Sequence, residues 1–463
     1  MQTLAQAILA EDISSVYGML QAGAEVNAID EYGFTPLIES CIVDNVQIGE
    51  LLLQQGANAN VVDMIGNTAL HWVVENNNLA FAKLLLTHGA DANAYNFAGQ
   101  PLLVIALLRQ RVELKKLLLH YGADLDFAQD YINAKLLGHM FELVGTVDIV
   151  TPKNEFAEVD FEGFILEFSL ATISESLAEF NNHFAGRQIR RYLSLTQTII
   201  DALTHAAQLI KFQQYRTDLS KHNQTIAKLI QNEPLIIPVG YEGHAITFIK
   251  VGDILVKCDR REDSRLYDNI VFYRMRRPEL LTAEFVTRTI FVKTSDEFVN
   301  QELPQLLDLV PLTELKVAAQ ISGNCSWANV EACIPALYFL LFSQAEDFDN
   351  NMVTYKNLAL SFFRQWRDWN KERTLQFLIQ SFHSADFLRK ATKAEILAVI
   401  LFQTCSEENP ADHDRIKAIL AILNTPRYEY ILKNYIRSYC YEDSSERGKT
   451  FLQMLRNFGF SQN

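Results

Sequence analysis

Four Gly-Ala pairs, Gly23-Ala24, Gly56-Ala57, Gly89-Ala90 and Gly122-Ala123, stand 33 residues apart and constrain the first quarter of this 463-residue chain. They follow leucine-rich stretches such as Leu51-Leu52-Leu53, Leu84-Leu85-Leu86 and Leu117-Leu118-Leu119, and Gly33, Gly66 and Gly99 keep the same period. A period of this length means stacked helix pairs, because one unit is too small to bury its apolar face until a neighbour covers it. Glycine supplies the positive φ that closes a helix C-terminus. Thr35 and Thr68 can hydrogen-bond within the turns that open helices, and His71 reads as part of that turn network, not as a ligand or base.

Gly33-Phe34-Thr35-Pro36-Leu37 and Gly66-Asn67-Thr68-Ala69-Leu70-His71, with Asn27, Asn60 and Asn93 in the preceding turns, resemble the ankyrin repeat. The resemblance covers four units over residues 1–130, the first lacking its opening signature and acting as a cap. The fourth carries Gln100-Pro101 in place of Thr-Pro, and beyond Asp126 the signature is lost. An ankyrin stack implies a protein partner, with Asp30, Glu31, Tyr32, Asp63, Met64, Tyr95, Asn96 and Phe97 in the projecting turns as candidate contacts. Alternatively the stack only braces the domain that follows.

With 49% hydrophobic and 21% charged residues, the chain has globular composition and length for two to four domains. Its formal net charge of −15 and pI near 5.2 argue against a nucleic-acid binder held by phosphate contacts and give no general attraction to anionic lipid. Two basic clusters, Arg187/Arg190/Arg191 and Arg274/Arg276/Arg277, read as solvated faces. Cys41, Cys258, Cys325, Cys333, Cys405 and Cys440 have no short repeated spacing, so neither a disulfide framework nor a metal site is expected. No cofactor is implied. The N-terminus lacks a basic region and turns acidic at Glu11, unlike a secretory signal. No apolar run approaches a membrane span in length, so a soluble chain in a reducing compartment is expected.

The chemistry lies in Gln320-Ile321-Ser322-Gly323-Asn324-Cys325-Ser326-Trp327 and the apolar-periodic run over 328–342. A cysteine between a glycine turn and the first turn of a helix meets the positive end of the helix dipole, which favours thiolate. Gln320 can offer a side-chain N–H, and Cys325 its backbone N–H, to the oxyanion of an attacked carbonyl. Pro335 should kink the helix. Upstream, Gly252-Asp253 between strand-like runs at 244–251 and 254–259 signals a two-residue hairpin loop. That loop pairs Val251 with Ile254, Ile246 with Asp259 and His244 with Arg261, making His244 and Asp259 diagonal neighbours on one face. A carboxylate there would fix the imidazole tautomer and stabilise the imidazolium formed when His244 takes a thiol proton.

Together these segments resemble papain-like cysteine proteases, in which glutamine precedes the cysteine, tryptophan follows it, and histidine meets asparagine or aspartate on the next strand. One residue fewer before Cys325 and the insertion of Ser326 before Trp327 depart from that pattern. The order His244, Asp259, Gln320, Cys325 resembles the permuted order of ubiquitin-like-protein proteases, adenovirus-type proteases and bacterial effectors of the same fold. The resemblance implies Cys325 as nucleophile, His244 as base, Asp259 as orienting group, Gln320 as oxyanion donor, and a protein substrate. The same triad can serve a deamidase or acyltransferase through a thioester, and a silent triad would leave an interaction scaffold.

The expected architecture is a multidomain α plus α+β chain. An ankyrin solenoid spans 1–130, a permuted papain-like domain 131–345, and an α-helical C-terminal domain 346–463. Strand-like intervals fall at 144–150, 159–168, 269–273 and 289–292, and separate C-terminal helices at 352–369, 372–383, 393–405, 412–423, 428–439 and 445–458. Phe362, Phe363, Trp366 and Trp369 read as core. The combination resembles bacterial ankyrin-repeat effectors that a type IV secretion system delivers from the bacterial cytoplasm into the host cytosol or nucleus. Glu442-Asp443-Ser444-Ser445-Glu446 is a candidate acidic C-terminal signal.

Overall fold

A computed structural model describes residues 3–30, 33–215, 222–241, 243–261, 269–292, 294–320, 323–440 and 446–460. Glu31, Tyr32 and the run Glu442-Asp443-Ser444-Ser445 lie outside the described residues. The chain forms two compact units. The first comprises Met1–Ala134, Thr146–Asp160 and Asp386–Thr392, and the second Lys135–Gly145, Phe161–Ala385 and Lys393–Asn463.

In the first unit the 33-residue period becomes four helix pairs: α1 (Leu4–Leu9) with α2 (Ile13–Gln21), α3 (Pro36–Ile42) with α4 (Val46–Gln54), α5 (Ala69–Asn76) with α6 (Leu79–Thr87), and α7 (Leu103–Leu108) with α8 (Val112–His120). Thr35 caps α3 by accepting from the Ile38 N–H at 3.2 Å. At α5 the cap is reciprocal, because Thr68 donates its backbone N–H to His71 Nδ1 at 3.0 Å, the turn role expected of His71. The repeat asparagines bolt each unit to the next. Asn60 Nδ2 donates to the Gly89 carbonyl at 2.8 Å while its Oδ1 accepts from the Asp91 N–H at 2.8 Å, and Asn93 does the same to Gly122 and Asp124.

The finger glycines have a packing reason as well as a conformational one. A Cβ at Gly33 would lie 2.9 Å from the Met64 nitrogen and one at Gly66 2.5 Å from that of Phe97, so each finger rests on the backbone of the next. At Gly99 the neighbour is the Glu158 carbonyl oxygen at 2.5 Å. Glu158 belongs to a hairpin, β1 (Thr146–Val150) with β2 (Phe156–Asp160), which thus stands where a fifth finger would. Arg389, from Asp386–Thr392, pairs with Asp124 at 3.1 Å and Asp130 at 3.3 Å in the same unit.

The second unit contains the end of α9 (Leu125–Phe141), then α10 (Leu166–Asn182), α11 (Leu193–Ile210) and α12 (Asn223–Ile230). An antiparallel sheet follows, in the order β3 (Leu235–Tyr241), β4 (His244–Val251), β5 (Ile254–Cys258), β6 (Ile270–Met275), β7 (Leu309–Leu315). Helices α13 (Ala283–Phe291) and α14 (Leu303–Leu306) lie between β6 and β7, and α15 (Cys325–Glu331) and α16 (Cys333–Phe342) come after the sheet. The remainder is α17 (Phe348–Ser384), α18 (Phe387–Thr404), α19 (His413–Leu423), α20 (Glu429–Tyr439) and α21 (Glu446–Asn457). Apart from 386–392, residues 346–463 fall in the same compact unit as the sheet.

Several local expectations change. The interval 159–168 is not a strand. It holds the end of β2, a turn at Gly163 with φ of +66° and the start of α10. The run 289–292, β-branched at three of its four residues, lies largely in α13, where Thr282 caps the Phe285 N–H at 3.2 Å and Val286, Thr289 and Ile290 share a buried face. The segments 352–369 and 372–383 join without a break in the part of α17 that follows its kink at Asn351, because Asn370 between them is 2% exposed and neither Gly nor Pro intervenes. The apolar run beginning at Cys325 does have membrane-span length and composition, Cys325–Phe342, and 89% of it is buried within the fold. A kinked core helix pair explains it: Pro335 has no N–H for the Glu331 carbonyl, and the helix breaks at Ala332.

Glu39 yields a test of the repeat core. It is 5% exposed in α3, and burial, with a smaller push from Asp30, raises its carboxyl to about 7. Between the ordinary value and that one, the folded chain holds a proton the unfolded chain has lost, so stability falls as pH rises through the window. Glu39→Gln is therefore expected to stabilise the repeats by about 2 kcal/mol at pH 8 and to change little at pH 4, read by urea unfolding at both pH values.

Candidate active site

Cys325 is the first residue of α15, with Asn324 at the N-cap and Gly323 before it at φ +79°. A Cβ at Gly323 would lie 2.3 Å from the Glu162 side chain, and the Gly163 N–H donates to the Gly323 carbonyl at 3.1 Å. Only glycine fits that turn. Helix α15 packs on β4, with Trp327 and Ala328 fully buried beneath the cysteine.

The Gly252-Asp253 loop sets the β4–β5 register as its length requires, from Val251 opposite Ile254 to Thr247 opposite Cys258. Past that point the ladder stops, so the pairs expected at Ile246/Asp259 and His244/Arg261 do not form. The Asp259 N–H turns instead to the Asn269 carbonyl at 2.9 Å. The side chains still meet: His244 Nε2 lies 3.0 Å from Asp259 Oδ1. With Nε2 engaged by the carboxylate, the imidazole also lies close enough to the Cys325 thiol for each group to shift the other's titration.

Burial opposes the charged form of all three groups, and in each case the neighbours win. At Cys325 the imidazole and the N–H groups of Ala245 and Ser326 outweigh burial and bring the thiol below its ordinary value. At His244, Asp259 and Cys325 outweigh burial and raise the imidazole. At Asp259, His244, Lys257 and Arg261 outweigh burial and hold the carboxyl well below the usual range. The opposite shifts at Cys325 and His244 favour a thiolate–imidazolium pair.

Gln320 is fixed by its backbone N–H on the Arg260 carbonyl at 2.8 Å. Its side chain makes no hydrogen bond among the described residues, and Oε1 is buried without a partner. Its amide is thus unengaged beside Asp259-Arg260. Ile321 and Ser322, between Gln320 and the cysteine turn, lie outside the described residues.

The sequence did not single out the residues that hold these parts. Asp259 Oδ2 also receives Arg261 Nη2 at 2.9 Å and lies 3.4 Å from Lys257 Nζ. Tyr241 sets its ring edge-on to His244, centroids 5.4 Å apart. Asn329, one turn after Cys325 and 1% exposed, donates to the Ala245 carbonyl at 2.6 Å and accepts from the Arg260 N–H at 2.8 Å. One amide therefore joins the cysteine helix to the residue after His244 and the residue after Asp259. Its position four residues from Cys325, on the same helix face, was the readable signal.

Iodoacetamide at mildly acidic pH should label Cys325 ahead of the other five cysteines, all of them buried. His244→Ala should suppress that labelling at acidic pH and restore it at alkaline pH, since the cation that lowers the thiol is lost. Asn329→Ala should move the labelling profile toward higher pH, whereas Asn329→Gln should move it less if its longer side chain retains one of the two bonds. An unshifted profile in a folded Asn329→Ala chain would mean that the amide does not position the triad.

The ankyrin-repeat family model matches in three copies, over residues 4–96 and 65–129, in agreement with the 33-residue period. No curated protein matches the chain. Among solved structures, that of the Legionella effector AnkH is 40% identical, covers 100% of this chain and 98% of its own, and superposes with a TM-score of 0.84. At that identity over the whole of the sequence, the chain belongs to the family of the Legionella effector AnkH.

Proposed function

We propose that this protein is a bacterial effector, delivered by type IV secretion into a eukaryotic cell, in which a papain-like cysteine hydrolase is directed to a host protein by ankyrin repeats. Its likeness to the Legionella effector AnkH over its full length supports the effector role, and the ankyrin repeats support a protein partner. One observation carries the chemistry: His244 is hydrogen-bonded to Asp259 and electrostatically coupled to Cys325, which stands at a helix N-terminus. A helix bearing the cysteine, packed on the strand that bears the histidine, with the aspartate just past the next strand, supports the reading of a permuted papain-like domain.

In this mechanism His244 takes the Cys325 proton and the thiolate attacks the substrate carbonyl. The Gln320 amide and the Cys325 N–H receive the oxyanion, worth roughly 3 kcal/mol per donor in comparable sites. The imidazolium, held by Asp259, protonates the leaving amine, and a water deprotonated by His244 then cleaves the thioester. In the host the enzyme would work in the cytosol or nucleus.

Wild-type and Cys325→Ala chains incubated with a eukaryotic lysate should differ in new protein N-termini. Deamidated or acyl-modified proteins without new termini would instead assign a deamidase or acyltransferase. No difference of any kind, with an unreactive Cys325, would leave a scaffold. Once a substrate is found, Asp259→Asn should retain more activity than Asp259→Ala, because the amide oxygen still accepts from the imidazole. It should still fall well below wild type, since Arg261 and Lys257 both compete for that oxygen in place of a carboxylate.

A further inference from the structure

The two arginine clusters, alike in sequence, differ in the fold. Arg274 pairs with Asp253 at 3.3 Å and Arg276 with Asp308 at 3.8 Å, so two of that cluster's three cations are answered within the chain. Arg187, Arg190 and Arg191 have no carboxylate at ion-pair distance among the described residues. All three are exposed, on two short 3-10 turns, Phe184–Gln188 and Arg190–Tyr192, that link α10 to α11. Residues 180–200 contain no Asp or Glu. Glu179, just before them, is already paired with Arg373.

Two large apolar side chains flank these charges, Phe184 at 69% exposed and Leu193 at 53%. The segment is built, not slack. Ile189 is 1% exposed, a Cβ at Gly186 would fall 2.1 Å from the Phe180 carbonyl oxygen, and Arg190 Nη2 donates to the His183 carbonyl at 3.2 Å. Phe184 and Arg187, and Arg191 and Tyr192, form cation–π pairs at 4.8 Å.

We propose that this segment docks on an anionic phospholipid surface, with the arginines on headgroup phosphates and Phe184 and Leu193 entering the interface. Guanidinium groups match phosphate oxygens in paired hydrogen bonds, and apolar side chains beside them add burial that a purely polar partner would not reward. A net charge of −15 opposes a polyanion that runs across the surface. A planar headgroup layer can be met by this segment alone, within a Debye length of about 8 Å at physiological salt. The Phe184 ring already carries the Arg187 guanidinium, which leaves less face for a stacked base. Three cations and two apolar groups give reversible attachment, not insertion.

The test is sedimentation of the full chain with vesicles of phosphatidylcholine alone and of phosphatidylcholine with about one-third phosphatidylserine. Binding is expected only to the anionic vesicles and should weaken as salt rises. Arg187→Gln with Arg191→Gln, which spares the Arg190 bonds that hold the segment, should lower binding roughly thirtyfold. Phe184→Ser should lower it without changing the salt dependence. No binding to anionic vesicles, or wild-type binding by the double arginine variant, overturns the proposal. Arginine-dependent capture of single-stranded RNA with no vesicle binding also overturns it and assigns the segment to nucleic acid.

Discussion

Arg260 is the point on which the second unit is braced. Its side chain is fully buried, and a buried guanidinium is tolerated only where acceptors replace its water. Nε donates to the Ala318 carbonyl at 2.8 Å, Nη2 meets Glu142 at 3.0 Å and Nη1 meets Glu331 at 3.4 Å. Arg367 of α17 completes the cluster on the same two carboxylates, and Glu331 also accepts from Trp327 Nε1 at 2.7 Å. Five segments are tied in this way, and Arg260 is the residue next to Asp259. The cost of leaving any of these charges unpaired fixes where the β5 end, the Gln320 segment and α15 lie relative to one another.

The candidate active site inherits that rigidity through short links. Arg260 gives its N–H to Asn329 and its carbonyl to the Gln320 N–H, so one residue orders both the cysteine helix and the segment leading to it. Asn329 then reaches the strand that begins with His244. A relay of this kind works only if the donor and acceptor angles are set before substrate arrives, and buried amide and guanidinium groups with no alternative partners are a means of setting them. The additional cations on Asp259 mark a difference from a relay of three groups: the carboxylate is shared, and its charge is divided between the imidazole and two basic side chains.

The repeat unit shows a different economy. Its stability comes from identical joints, each a glycine under the next finger and an asparagine across to the next helix pair. Such a series needs a terminus. Here β1–β2, drawn from beyond the fourth repeat, provides the surface against which Gly99 rests.

What the sequence determined by itself was whatever depends on spacing along the chain. The 33-residue period specified the stacked pairs, and the two-residue loop at Gly252-Asp253 set a strand register that brings His244 and Asp259 to the same end of the hairpin. Glycine before Cys325 specified a turn and then a helix start. These are local rules, and local rules survive without knowledge of partners. Tertiary structure decided the rest. The run 289–292 is β-branched and aromatic yet largely helical, because a threonine cap and a buried face outweigh propensity. The two arginine clusters look alike in sequence, and only the fold puts Asp253 and Asp308 beside one of them. Asn329 and Arg260 gain their roles from groups 84 and 118 residues away, a relation that no periodicity records.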